Sequence, residues 1–110
     1  MTDVEMLDTN WAIARLEHPA EEISSDRFGR PIIYEADHND GYGAYIALDY
    51  CNNWQDIGPL IELEKLSLLP CQDGTYQASK WVGSGLTTAY ADTPTKAAAL
   101  CYLKLNTQRA

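Results

Sequence analysis

Three cysteines and two histidines are the side chains of this 110-residue chain best suited to covalent or metal chemistry. Cys51 is the most suggestive. In "YCNNWQDIGPLIE", Tyr50 to Glu62, it stands just ahead of a helix start, where the positive end of the helix dipole favours a thiolate. A nucleophilic thiolate also needs a base, and neither His18 nor His38 stands in a sequence context that supplies one. Cys51, Cys71 and Cys101 are widely and evenly spaced, form no CxxC pair and have no neighbouring histidine. That pattern is expected of reduced, mostly buried thiols rather than a disulfide framework or a metal site. The stretch is therefore expected to be a capped, packed helix entry. Cys51 and His38 are the candidates for an alternative, a small enzyme or nucleotide-handling protein, which would need a concave polar pocket around them.

The other motifs lose their chemistry on inspection. "EADHNDGYG" resembles a calcium loop, but with Glu35 as its first position the glycine falls one place late and Ile46 stands where a bidentate glutamate is required. "VGSGLTTAY" lacks the Gly-Lys-Ser/Thr of a phosphate loop and precedes a strand, whereas a dinucleotide fingerprint opens a helix. Glu21 and Glu22 are adjacent on a polar loop, and adjacency there does not shift a pKa as burial does. No catalytic, cofactor-binding or metal-ligating residue is expected.

Charge is more informative. The formal net charge is −8, but residues 1–64 carry 14 acids against Arg15, Arg27 and Arg30, whereas residues 65–110 carry five cations against Asp73 and Asp92. The acidic half serves solubility, and it also repels a phosphate backbone and attracts a basic protein surface. Glu21, Glu22, Asp26, Glu35, Asp37 and Asp40, with Tyr42 and Tyr45 beside them, are the expected partner-binding residues, because rigid aromatics next to charge are what interface hot spots use. Direct DNA binding through Lys80, Lys96, Lys104 and Arg109 runs against the total charge.

The elements that position these residues follow from periodicity and punctuation. Asp8 is expected to cap a first helix, with Leu7 as its staple and Trp11, Ile13, Ala14 and Leu16 as its apolar flank, ending before Pro19. "PAEEISSDRFGRP" is a loop with a short helical turn at Glu21 and Glu22. Residues 31–35 and 42–48 form a hairpin, with Tyr42, Ala44, Ile46 and Leu48 toward the core. Asn52 or Asn53 caps a second helix, whose regular part is expected from Pro59 because proline inside a helix lacks a donor. Residues 66–71 and 75–82 form another hairpin around Asp73 and Gly74, and "LTTAYA" is a further strand. Thr93 and Pro94 open a final helix, apolar around much of its circumference, with Lys96 and Lys104 on its wet side. The result is an α+β fold: an antiparallel sheet of about four to five strands packed by about three helices, in one domain.

The segments "YCNNWQDIGPLIELEKLSLLP", "YQASKW" and "AYADTPTKAAALCYL" together resemble the NinX-like small proteins of tailed phages, related to domains described as a phage α-β-α sandwich. The matching residues are Cys51, Asn52, Asn53, Pro59, Leu60, Ile61, Ser67, Leu68, Trp81, Ala91, Pro94, Ala97 and Ala98. They are caps, turn and core positions, so the resemblance implies a fold and a phage origin and carries no assigned activity. It points to a non-enzymatic accessory protein that antagonises a host defence system such as CRISPR-Cas by binding a basic, nucleic-acid-binding host protein. The acidic N-terminus and the lack of a run of about 18 apolar residues predict the host cytoplasm, with no membrane contact. A monomer and a dimer both remain open.

Overall fold

Thr2 starts the first helix. In the computed structural model, which describes residues 1–36 and 43–109, helix α1 (Asp3–Glu17) is capped by the Thr2 hydroxyl, which accepts the Glu5 N–H at 3.2 Å. Asp8 lies inside the helix because Thr2 fills the capping role earlier, with Asp3 and Glu5 at the positive end of the dipole. The helix ends before Pro19, as its sequence demands, and the His18 N–H closes on the Ala14 carbonyl at 2.9 Å. Its buried stripe is Thr9, Asn10, Ile13 and Ala14; Leu16, expected on that stripe, is exposed.

Strands β1 (Ser24–Ser25), β2 (Pro31–Ala36) and β3 (Gly43–Ala47) form one antiparallel sheet, and β4 (Ser67–Pro70), β5 (Tyr76–Val82) and β6 (Gly85–Ala91) form a second. Two three-stranded sheets thus replace the single expected sheet, because the two hairpins lie on different sides of the helices and their strands do not meet. The short β1 arises from the segment expected to be a loop, and the turn ahead of it falls at Pro19 and Ala20 rather than at Glu21 and Glu22. Asp26 makes β1 possible. Its Oδ1 accepts the N–H groups of Phe28 and Arg30, each at 2.9 Å, and Gly29 takes φ +82° to close the turn.

Register places Ile33 opposite Ile46, so Ala44, Ile46 and Leu48 face inward as their alternation predicts. Burial fades along that face. Leu48 is 6% exposed, Ile46 37% and Ala44 is exposed, because the sheet meets the core only at its root, near Pro31 and Leu48. Tyr42, the remaining member of that set, lies outside the described residues. In the second sheet, Asp73 Oδ1 accepts the Thr75 N–H at 3.0 Å beside Gly74 at φ +86°, which is the expected turn chemistry.

Helix α2 (Trp54–Glu64) is capped by Asn53, whose side chain accepts the Gln55 N–H at 2.9 Å. It runs unbroken through Pro59 instead of beginning there. Proline removes one backbone donor, and burial of Ile57 and Leu60 on the same helix outweighs that loss. Lys65 ends it in the left-handed region at φ 55°, while the Leu66 N–H reaches back to the Ile61 carbonyl at 3.0 Å and the Lys65 N–H to that of Glu62 at 3.3 Å.

Helix α3 (Pro94–Arg109) is capped by Thr93 as expected, its hydroxyl accepting the Lys96 N–H at 3.3 Å. One side of α3 packs on β4–β6 and another on α1 and α2, which explains its apolar circumference. Ala97, Ala98 and Ala99 on α3 and Ala78 and Ala89 on the sheet are buried in one cluster, and their small side chains let the layers around α3 approach closely. Lys96, expected on the wet side, is only 12% exposed along its side chain because it folds back to Asp92 at 3.4 Å. The layers run from the β4–β6 sheet through α3 to α1 and α2. Helices cover one face of that sheet; among the described residues the other is bare. No described helix is long and apolar enough to cross a membrane.

Candidate functional site

A cleft of about 300 Å³ lies between the inward face of β2–β3, the C-terminal end of α1 and the first turns of α2. Glu17, Glu35 and Asp56 stand on its wall, and neither lysine nor arginine does. Two of these carboxylates are held in place: Asp56 Oδ2 accepts the Asp49 N–H at 2.9 Å, and Glu17 accepts the Tyr102 hydroxyl. Tyr50, buried in the cleft wall, has its ionisation pushed well up by burial and then by Asp56, Glu17 and Glu21, so it stays a neutral phenol. Ile33, Leu48 and Leu60 supply an apolar floor. An aliphatic stem on that floor with a cationic head among the carboxylates is the ligand this arrangement suits, which describes a lysine or arginine side chain. No group of three metal-ligating side chains occurs among the described residues.

The predicted site residues scatter around this cleft. Glu35 is exposed and lines it. Glu21 is exposed on a neighbouring depression that it lines with Trp11, Arg15 and His18, and its carboxylate meets His18 Nδ1 at 3.0 Å; Glu22 is exposed just before β1. Asp26 is engaged within the chain. Besides the two backbone N–H groups it holds, it binds Arg30 Nε at 2.7 Å, so its charge is consumed in building the turn. Tyr45 is exposed, but it sits opposite Tyr34 on the outward face of the hairpin, with ring centroids 5.5 Å apart and planes at 64°. Glu35 and Tyr45 therefore point to opposite sides of the sheet rather than forming one patch. Asp37, His38, Asp40 and Tyr42 lie outside the described residues. Glu17 and Asp56, absent from the sequence-based set, join Glu35 only through the tertiary fold; no local signal links them.

Cys51 is fully buried. Its N–H donates to Asn10 Oδ1 at 3.0 Å, and Asn10 Nδ2 donates to Asp49 Oδ1 at 2.9 Å, so the helix entry is tied to α1 through a buried amide. Burial, and next Asp49, push the thiol up to about 12, the reverse of an activated nucleophile. Burial raises Cys101 in the same way.

Four of the five cations of the second half are engaged elsewhere. Glu64, 8% exposed, receives Arg109 through two bonds of 2.8 and 2.7 Å and Lys80 through one of 3.1 Å. Arg109 leads, with Lys80 assisting, in holding the Glu64 carboxyl down at about 2. Lys96 pairs with Asp92, and Lys104 donates to the Thr88 carbonyl at 2.8 Å. Among the described acids of the first 64 residues, Glu64, Asp26 and Glu21 enter ion pairs.

No family model matches the chain, and no curated protein matches it. Among solved structures it is similar to a phage protein from Bacillus cereus, with a TM-score of 0.60 and 20% identity over 89% of this chain and 88% of that one. At that identity the likeness is one of fold.

Proposed function

We propose that this is a phage-encoded, non-enzymatic accessory protein that antagonises a host defence system such as CRISPR-Cas. Its acidic N-terminal half binds a basic, nucleic-acid-binding protein surface in the host cytoplasm and occupies a groove that otherwise takes DNA or RNA. The observation that supports this reading best is the cleft bounded by Glu17, Glu35 and Asp56, which presents preorganised carboxylates and no balancing lysine or arginine. The NinX-like motifs, together with a fold neighbour that is a phage protein, support a phage origin.

A pull-down from bacterial lysate identifies the partner, and stopped-flow association then tests the electrostatics. Reversing Glu21 and Glu35 to lysine is expected to lower the association rate about tenfold or more at low salt and to flatten its salt dependence. Equal rates for the variant and the natural chain would refute the acidic recognition surface.

A further inference from the structure

We propose that the bare face of the β4–β6 sheet is the interface of a face-to-face homodimer. Register and pleat define that face: Leu69, Gln77 and Tyr90 form one row across the three strands, and Trp81 and Leu86 form another. Between them runs a row of small residues, Ser67, Ser79 and Thr88. Leu69, Trp81, Leu86 and Tyr90 are 54%, 68%, 45% and 58% exposed, although Ala78, Thr87, Ala89 and Ala91 on the opposite face are buried.

Three features choose a second copy as the occupant. The first is charge. No residue on this face is ionisable near neutrality, whereas the chain as a whole carries −8, so two copies meet here with least repulsion. The second is shape: two ridges flank a trough, a profile that complements itself when one copy is turned about a two-fold axis and displaced along the strands. A cleft of about 500 Å³ at the edge of the trough is lined by Leu63, Ser67, Ser79 and Trp81 together with Lys65 and the paired Glu64 and Lys80, so the ionisable groups stand at the margin of the face. The third is area. The four large side chains leave on the order of 500 Å² exposed per copy, as large as the largest apolar patches of monomers, and two such faces reach the roughly 1,000 Å² of a specific interface. Lys65 and Lys104 stand at the margin as a polar rim.

Sedimentation equilibrium of the intact chain from micromolar to submillimolar concentration tests the proposal. The natural chain is expected to dimerise, and Trp81→Lys and Tyr90→Lys each to weaken the dimer about 30-fold or more, the loss typical of a central interface residue. Tyr45→Lys, on the outward face of the other sheet, is expected to leave it unchanged. Because Trp81 is exposed, far-UV circular dichroism of the variants should match the natural chain. In a Trp11→Phe, Trp54→Phe background, the Trp81 emission should move to shorter wavelength as concentration rises, giving a second readout that needs no change to the face. A monomer at every concentration, a dimer that survives Trp81→Lys and Tyr90→Lys, or a foreign protein bound to this face of a monomeric chain would each overturn the proposal.

Discussion

Glu64→Gln probes the ion cluster that joins the end of α2 to β5 and the last turn of α3. A carboxyl that ordinarily titrates at 4.5 is held at about 2 here, first by the Arg109 hydrogen bonds. At about 1.4 kcal/mol per pKa unit the difference corresponds to ~3 kcal/mol, and solvent around the half-exposed Arg109 reduces the expectation to about 2–3 kcal/mol. Because the folded-state pKa lies below the unfolded one, the unfolded chain takes up the proton first as the pH falls. The contribution is therefore complete above about pH 4.5 and disappears as the pH drops toward 2. Urea unfolding of both proteins, followed by tryptophan fluorescence at a series of pH values, reads this directly. Near neutrality the natural chain should be the more stable by about 2–3 kcal/mol, and the gap should close between pH 4.5 and 2. A gap that persists unchanged to the acid end would refute the ionic account and assign the loss to packing around an amide.

Two further outcomes follow from local geometry. Lys65 is the described non-glycine residue with positive φ, at a helix end where glycine is preferred, so Lys65→Gly should raise unfolding stability by about 1 kcal/mol; a decrease would mean that its side chain does more than the backbone strain costs. In thiol titration of the folded protein at mildly alkaline pH, Cys71 should react first, while Cys51 and Cys101 should wait for unfolding. The cause is burial, which pushes the Cys51 thiol up to about 12 and leaves almost no thiolate to react. Rapid labelling of Cys51 in the folded state would return it to the list of reactive groups.

Much of the fold was legible where a local rule dominates. Thr93 with Pro94, the Asp73-Gly74 turn and the proline stop after α1 each depend on a few neighbouring residues, and each appears in place. The start of α1 was misplaced because two residues, Thr2 and Asp8, both offer cap chemistry, and the additional helical turns before Asp8 favour the earlier one. Pro59 misled for a related reason: the rule against proline in a helix is a cost of a few kcal/mol, and the buried flank around it outweighs that cost. The candidate site was half legible. Alternation alone turns Tyr45 to the outward side of its strand, but Glu35 is placed on the inward side only by the register that sets it opposite Ala44.

The sequence alone determined that the chain is α+β, that its negative charge gathers in the first 64 residues, and that its helix and turn boundaries fall largely where caps, glycines and prolines put them. Only the tertiary structure decided which charges are spent. Glu64 lies 16 residues from Lys80 and 45 from Arg109, Glu17 lies 85 from Tyr102, and whether such groups meet depends on how the layers pack around α3. Local patterns cannot encode that outcome, because an ion pair's contribution depends on distance and burial, and both are properties of the assembled core.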